Sequence, residues 1–225
     1  MTGFVQELDA RIARFDLLCH PFYQAWSEGK LTADDLREYS AQYYHHVAAF
    51  PTYLSAFHSR LKDGELRRAV LRNLADEEIE GRAHTDLWLD FAAGMGASAD
   101  DVRSTKPVAE IESLIAQFRR VVANGTRAEV LATLYAYESQ VPRVAKEKAR
   151  GLKERYSADA KTCGYFTLHQ YADVQHSAVW SEELERELVA QPDQRDAALA
   201  AGERAAQALW QALDGVQRQI TPVLA

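Results

Sequence analysis

Apolar residues recur three and four positions apart from one end of this chain to the other, while runs that alternate in the manner of a strand are almost absent. That spacing lines apolar side chains along one helix face and predicts an all-α protein. The predicted helices cover about residues 3–18, 21–28, 33–61 with a kink at Pro51, 64–93, 107–123, 126–151, 159–190 and 193–220. Local signals agree: Thr32 and Thr126 stand as N-caps, Pro21 and Pro107 in first turns, Gly94 and Gly125 at helix ends. The longest connection, MGASADDVRSTKP, has room for a short helical turn. With no linker rich in Pro, Gly or Ser and no internal repeat, one helical domain over residues 1–225 is expected.

A net charge of −7 argues against nucleic acid or an anionic membrane as partner, since both demand a concentrated basic surface. The opening MTGFVQELDARIARFD is charged throughout, unlike a signal peptide, and no apolar stretch approaches the roughly 18 residues of a membrane span. A cytoplasmic protein is expected. Cys19 and Cys163 are far apart and form no CxxC pair, which disfavours a disulfide framework or a zinc ribbon. GMGASA matches a nucleotide-binding GxGxxA by letter, but it follows a helix rather than a strand and reads as a C-cap. The charged run EELERELVAQPDQRD reads as a solvated face.

The segment HQYADVQH, His169 to His176, departs from the apolar pattern. At about 3.6 residues per turn, offsets of four and seven bring His169, Asp173 and His176 into one sector, where a buried face normally carries Leu, Ile or Phe. A second stripe, Leu66, Val70, Asn73, Glu77, Gly81, His84, Trp88 and Phe91, places Glu77 and His84 two turns apart, whereas Glu78 and Glu80 read as solvated. A third, Leu131, Leu134, Glu138, Val141 and Ala145, contains Glu138. Pro142 cannot donate to the Glu138 carbonyl, so the helix should kink or bulge there. Taken alone, Glu138 also suits an ion pair with Arg143, Lys146 or Lys148. A carboxylate buried by itself is strongly unfavourable, so each of these positions needs a partner or a cation.

Three imidazoles and three carboxylates on three helices suit one or two iron- or manganese-like ions, which accept mixed nitrogen and oxygen donors. Three carboxylates leave two divalent ions with a net positive charge that attracts an anionic oxygen species. Zinc more often takes its ligands from one compact set. A ferritin-like bundle requires Glu-x-x-His on two helices, and neither that spacing nor HExxH occurs here. Spacing does not say which ligand binds which ion, or which carboxylate bridges. A further inner stripe, Leu36, Tyr39, Tyr43, His46 and Phe50, holds redox-capable tyrosines and a histidine that reads either as a core residue or as one orienting a metal ligand.

The set Glu77-x6-His84, a single Glu138 and His169-x3-Asp173-x2-His176 resembles that of the haem-oxygenase-like dimetal oxidases. More closely, HPFYQAWSEGKL, YYHHVAAFPTYLSAFHSR, LADEEIEGRAH, YAYESQVPRVAKEKARGL and YFTLHQYADVQHS resemble the CADD-type para-aminobenzoate synthases, over roughly residues 15–190. The resemblance implies a single-domain bundle of seven to eight helices without haem. TenA thiaminases and the pyrroloquinoline quinone synthase PqqC share that fold but not the metal set. It implies two metal ions, Fe/Fe or Fe/Mn, on the six residues, with O2 as co-substrate and an external reductant. It also implies that para-aminobenzoate, a folate precursor, is made by excising one of the protein's own tyrosine side chains, with a lysine as the amino source. By local motif these are Tyr23 in HPFYQAW and Lys148 in RVAKEKARG, with Lys146 as the alternative lysine. Tyr39 and Tyr43 would then relay electrons. On a straight helix Lys148 lies about 15 Å beyond Glu138 and roughly 80° away from its direction, unless Pro142 bends the chain. In an apolar pocket its amine would be neutral and nucleophilic near pH 7. A homodimer suits the fold.

Other functions compete with self-processing. A dimetal oxidase acting on a diffusible substrate would turn over many times. A TenA-like hydrolase of thiamin derivatives would rely on a nucleophilic cysteine such as Cys163, for which the sequence offers no activating partner. A helical interaction module would bind partners without the ligands, and would leave three inward polar sets unexplained.

Overall fold

The computed structural model describes residues 3–220. Among them the chain forms eleven α-helices and no strand: α1 Phe4–Ile12, α2 Pro21–Glu28, α3 Ala33–Arg60, α4 Glu65–Glu78, α5 His84–Gly94, α6 Ala99–Ser104, α7 Ala109–Asn124, α8 Arg127–Glu138, α9 Val141–Arg155, α10 Gly164–Ala190 and α11 Arg195–Gln219. The all-α expectation holds, but there are more helices than the seven to eight expected. The difference comes from α6, which occupies the long connection, and from two helices that split.

The expected helix 64–93 divides at Ile79–Ala83, where Gly81 takes φ +77°, a left-handed value that glycine adopts without the usual Cβ clash. The expected helix 126–151 divides at Ser139 and Gln140, both still at right-handed helical angles, so the distortion expected at Glu138 is an interruption of the hydrogen-bond ladder, with Pro142 in the first turn of α9. At the N-terminus the α-helix ends at Ile12 and continues as two 3₁₀ turns, Ala13–Phe15 and Leu17–Cys19. Thr32 and Thr126 each close a capping box, with Asp35 and Glu129 as the reciprocal partners. The helix α3 continues through Pro51 to Arg60.

The helix α8 occupies the centre, packed against α10 and α11, and every residue from Val130 to Glu138 is buried. It is apolar on nearly all sides, as a fully enclosed helix must be. The helix α10 lies across α8, α9 and α5, while α3 packs on α4, α5 and α7. One hydrophobic core runs through the bundle from Phe4 to Ile220. Among the described residues no helix is long and apolar enough to cross a membrane.

Candidate metal centre

The break between α4 and α5 sets the first part of the site. Seven residues along an unbroken helix would separate Glu77 and His84 by about 10.5 Å of rise. With Glu77 in the last turn of α4 and His84 opening α5, the His84 Nδ1 instead lies 2.9 Å from Glu77 Oε2. The second break leaves Glu138 as the last residue of α8. The unbroken α10 presents His169, Asp173 and His176 on one buried face. All six side chains converge, and they do so as two triads: Glu77, His84 and His169 in one, Glu138, Asp173 and His176 in the other. Within each triad, one ligand atom from every residue lies within 4.8 Å of the others. Thus α10 contributes to both halves.

Among the described residues no lysine or arginine neutralises these groups. Arg143 pairs with Asp16 at 3.2 Å, Lys146 is exposed and Lys148 points elsewhere, so the ion pair that Glu138 could have made is absent. Glu138 is 1% exposed and accepts from Asn73 Nδ2 at 2.9 Å and from the indole N–H of Trp180. Burial pushes the Asp173 carboxyl up to about 7, against the hydrogen bond from His176. Burial also opposes charge on His176, yet hydrogen bonds to Asp173 and Glu138 outweigh it and raise the imidazole to about 11. Burial, reinforced by His84, drives His169 down to about 3. His169 Nδ1 lies 2.7 Å from the Tyr165 carbonyl, which takes the N–H and leaves Nε2 as the free donor.

His84 Nδ1 supplies the test of fit. It is buried and makes no hydrogen bond despite the carboxylate oxygen 2.9 Å away. That distance is close to the spacing of neighbouring donors on an octahedral ion with bonds of about 2.1 Å. Six nitrogen and oxygen donors, grouped three and three, fit a pair of divalent ions.

A second buried cluster lies beside the first. Lys148 is 4% exposed, and burial holds its amine well below the ordinary lysine range. Its Nζ sits 4.3 Å above the Tyr23 ring and 4.5 Å from the Tyr39 ring centre, and it donates to Tyr39 Oη. Tyr39 Oη is in turn 3.1 Å from Tyr23 Oη. Helix α9, restarting after the break, brings Lys148 inward. The Trp26 indole N–H donates to the Lys148 carbonyl at 3.3 Å, and Gly151 makes room for that indole, since a Cβ there would sit 2.8 Å from the Trp26 ring.

A family model described as iron-containing redox enzyme matches residues 37–210. The chain belongs to that family. A 4-aminobenzoate synthase from Chlamydia pneumoniae is 39% identical over 222 residues, covering 99% of this chain and 98% of that protein. A 4-aminobenzoate synthase from Nitrosomonas europaea is 41% identical over 224 residues, covering 95% and 90%. Among solved structures, a domain of unknown function with a haem-oxygenase-like fold from Shewanella denitrificans superposes with a TM-score of 0.80 at 21% identity, covering 95% of this chain and 90% of that one. The haem-oxygenase-like fold and the resemblance to CADD-type synthases therefore stand.

Two aromatic rings of this family member join the two clusters, and the sequence reading passed over both. Trp88 lies 5.8 Å from Tyr39 and 4.9 Å from Tyr165, and Tyr165 stacks on His169 at 4.0 Å between ring centres. Each stands four residues from a candidate ligand, Trp88 after His84 and Tyr165 before His169, so helical spacing alone could have found them. Tyr43 stacks on Tyr39 at 5.4 Å. Tyr137 and Tyr165 line both the small cavity beside Lys148 and the small space among the ligands. Of the two readings left open for His46, the structure agrees with a core residue: it hydrogen-bonds to none of the six ligands. It is fully buried among Tyr43, Tyr53, Phe118 and Tyr137, both ring nitrogens lack partners, and burial drives it down to about 3. Cys163 is buried and its thiol is pushed up by burial, the opposite of an activated nucleophile.

Proposed function

We propose that this chain makes para-aminobenzoate from its own Tyr23, with Lys148 as the amino donor and the six-ligand centre holding two metal ions, Fe/Fe or Fe/Mn. When bound, the metal pair supplies oxidising power from O2, with electrons from an external reductant. The observation that carries the reading is the position of Lys148, a buried amine set over the ring of Tyr23. Relatives at about 40% identity named 4-aminobenzoate synthase support the product.

The residues suit the parts assigned to them. The ring and Cβ of Tyr23 hold every carbon of the product. Release requires the Cα–Cβ bond to break, leaving glycine at position 23, and Cβ to be oxidised to a carboxylate by O2; Nζ of Lys148 bonds the phenol carbon as its oxygen leaves as water, and oxidation by O2 followed by hydrolysis of the Nζ–Cε bond frees the amine and leaves Cε as an aldehyde. Burial keeps the Lys148 amine neutral, so its lone pair is available. Tyr39, hydrogen-bonded to both the amine and the Tyr23 hydroxyl, holds the two in register and can pass a proton between them. Tyr39, Trp88 and Tyr165 form the aromatic path toward the ligands, with Tyr43 beside it.

Beside Lys148 a diffusible aromatic substrate has no room, although an outer cleft of about 800 Å³ reaches His84 and His176. The cavity beside Lys148 measures about 30 Å³, close to the volume of one water molecule and far below that of a benzene ring. The site is full because its substrate is part of the chain. Protein loaded with iron and manganese, given O2 and reductant, should release at most one para-aminobenzoate per chain, with a mass loss on the Tyr23 peptide. Growth on ¹⁵N-lysine should place ¹⁵N in the product. Unchanged product from Tyr23→Phe would overturn the reading.

A further inference from the structure

The three imidazoles of the centre differ in what stands behind them. His169 gives its outer N–H to a backbone carbonyl, and among the described residues the His84 Nδ1 has no hydrogen-bond partner. Among the described residues His176 alone faces a carboxylate outside the six: its Nε2 lies 2.9 Å from Asp76 Oδ2, while its Nδ1 lies 3.2 Å from Asp173 Oδ1 and 3.4 Å from Glu138 Oε1. We propose that Asp76 is a positioning residue for the Glu138, Asp173 and His176 half of the centre. Its carboxylate accepts the Nε2–H of His176; when an ion displaces the Nδ1 proton that Asp173 otherwise accepts, this bond holds the remaining proton on Nε2 and leaves the Nδ1 lone pair for the ion. The proposal rests on the dimetal reading above.

The placement follows from α4. Adjacent residues on a helix point about 100° apart, so Glu77 enters one triad while Asp76 reaches behind the other. One turn earlier, Asn73 donates to Glu138. The last two turns of α4 thus brace two members of the second triad and supply a ligand to the first. Among the described residues Asp76 has no lysine or arginine partner, so its charge is directed at His176. A carboxylate behind a ligating imidazole raises its basicity and locks its ring, and losing such a partner costs about 10–100-fold in metal affinity.

The test is anaerobic equilibrium dialysis against Fe(II), repeated with Mn(II), on wild type, Asp76→Ala, Asp76→Asn and Glu80→Ala. Glu80 is an exposed carboxylate lining the same outer cleft as Asp76 and serves as the control for general charge. Wild type should bind two equivalents. Asp76→Ala should keep one at wild-type affinity and hold the other about 10–100-fold more weakly. Asp76→Asn, near-isosteric and still able to accept the hydrogen bond, should fall between, and Glu80→Ala should match wild type. Two undiminished equivalents in Asp76→Ala overturn the proposal, as do equal weakening of both equivalents in folded Asp76→Asn or the same loss in Glu80→Ala. Wild type that binds no metal overturns the dimetal reading itself, and the proposal with it.

Discussion

Lys148 is a basic side chain that, among the described residues, has no carboxylate partner and sits among six aromatic rings, Tyr23, Trp26, Tyr39, Tyr43, Trp88 and Phe166. Burial lowers its folded pKa below the unfolded value near 10.4. Between those values the unfolded chain binds a proton that the folded chain lacks, so stability rises with pH across that interval. Lys148→Met should therefore be more stable than wild type at neutral pH. Denaturant titrations should show the gain shrinking by about 1.4 kcal/mol per pH unit as the unfolded lysine value is approached; a gain independent of pH would contradict the buried neutral amine. His46 presents the converse case. Its unpartnered ring nitrogens carry a desolvation cost of about 1–3 kcal/mol, so His46→Phe should leave thermal stability unchanged or raise it, with both metal equivalents retained. A fall of several degrees in Tm would mean that the imidazole has partners after all.

At the scale of helices, the two breaks decide what the site becomes. The residue set was legible in the sequence because polar groups in apolar stripes stand out, and His169, Asp173 and His176 on one unbroken helix were read in their true arrangement. The partition into two triads was not legible. The stripe from Leu66 to Phe91 stays in phase across Ile79–Ala83, since seven residues amount to about two turns, so periodicity alone could not reveal the reversal at Gly81. The break after Glu138 was signalled by Pro142, but its extent was not, because α8 is buried on nearly every side and the stripe from Leu131 to Ala145 runs through the break without showing where the helix ends. The same restart carries Lys148 inward, which a straight helix would have sent away. Gly151, on α9, offers a way to disturb one cluster and spare the other. Gly151→Val should push against the Trp26 indole, displace the Lys148 backbone and cut para-aminobenzoate yield at least tenfold, while dialysis still finds two metal equivalents. Parallel loss of metal would show that the two clusters are not mechanically separable.

Across the whole molecule, helix class followed from periodicity, whereas helix number did not, because α6 and the split helices are too short to announce themselves against the longer pattern. One core encloses both clusters, and Tyr23 is among its buried members, 3% exposed. Its ring packs against Phe22 and Tyr39 at 5.7 and 6.3 Å between centres. Removing a buried aromatic side chain costs about 3–5 kcal/mol, so Tyr23→Gly, which stands for the chain after its side chain has left, should lose that much by denaturant unfolding. Tyr23→Phe should lose much less. If Tyr23→Gly proved as stable as wild type, the core would have to close over the gap without penalty.

On the proposal that Tyr23 is consumed, its enclosed position would tie output to lifespan. A chain that has given up its ring is no longer the same folded object: it is looser, opens more often and is a better target for proteases. Each molecule of product would leave behind a protein marked for disposal by the hole it carries. The supply of product would then be set by how fast ribosomes replace the spent chains, and protein synthesis itself would be the throttle.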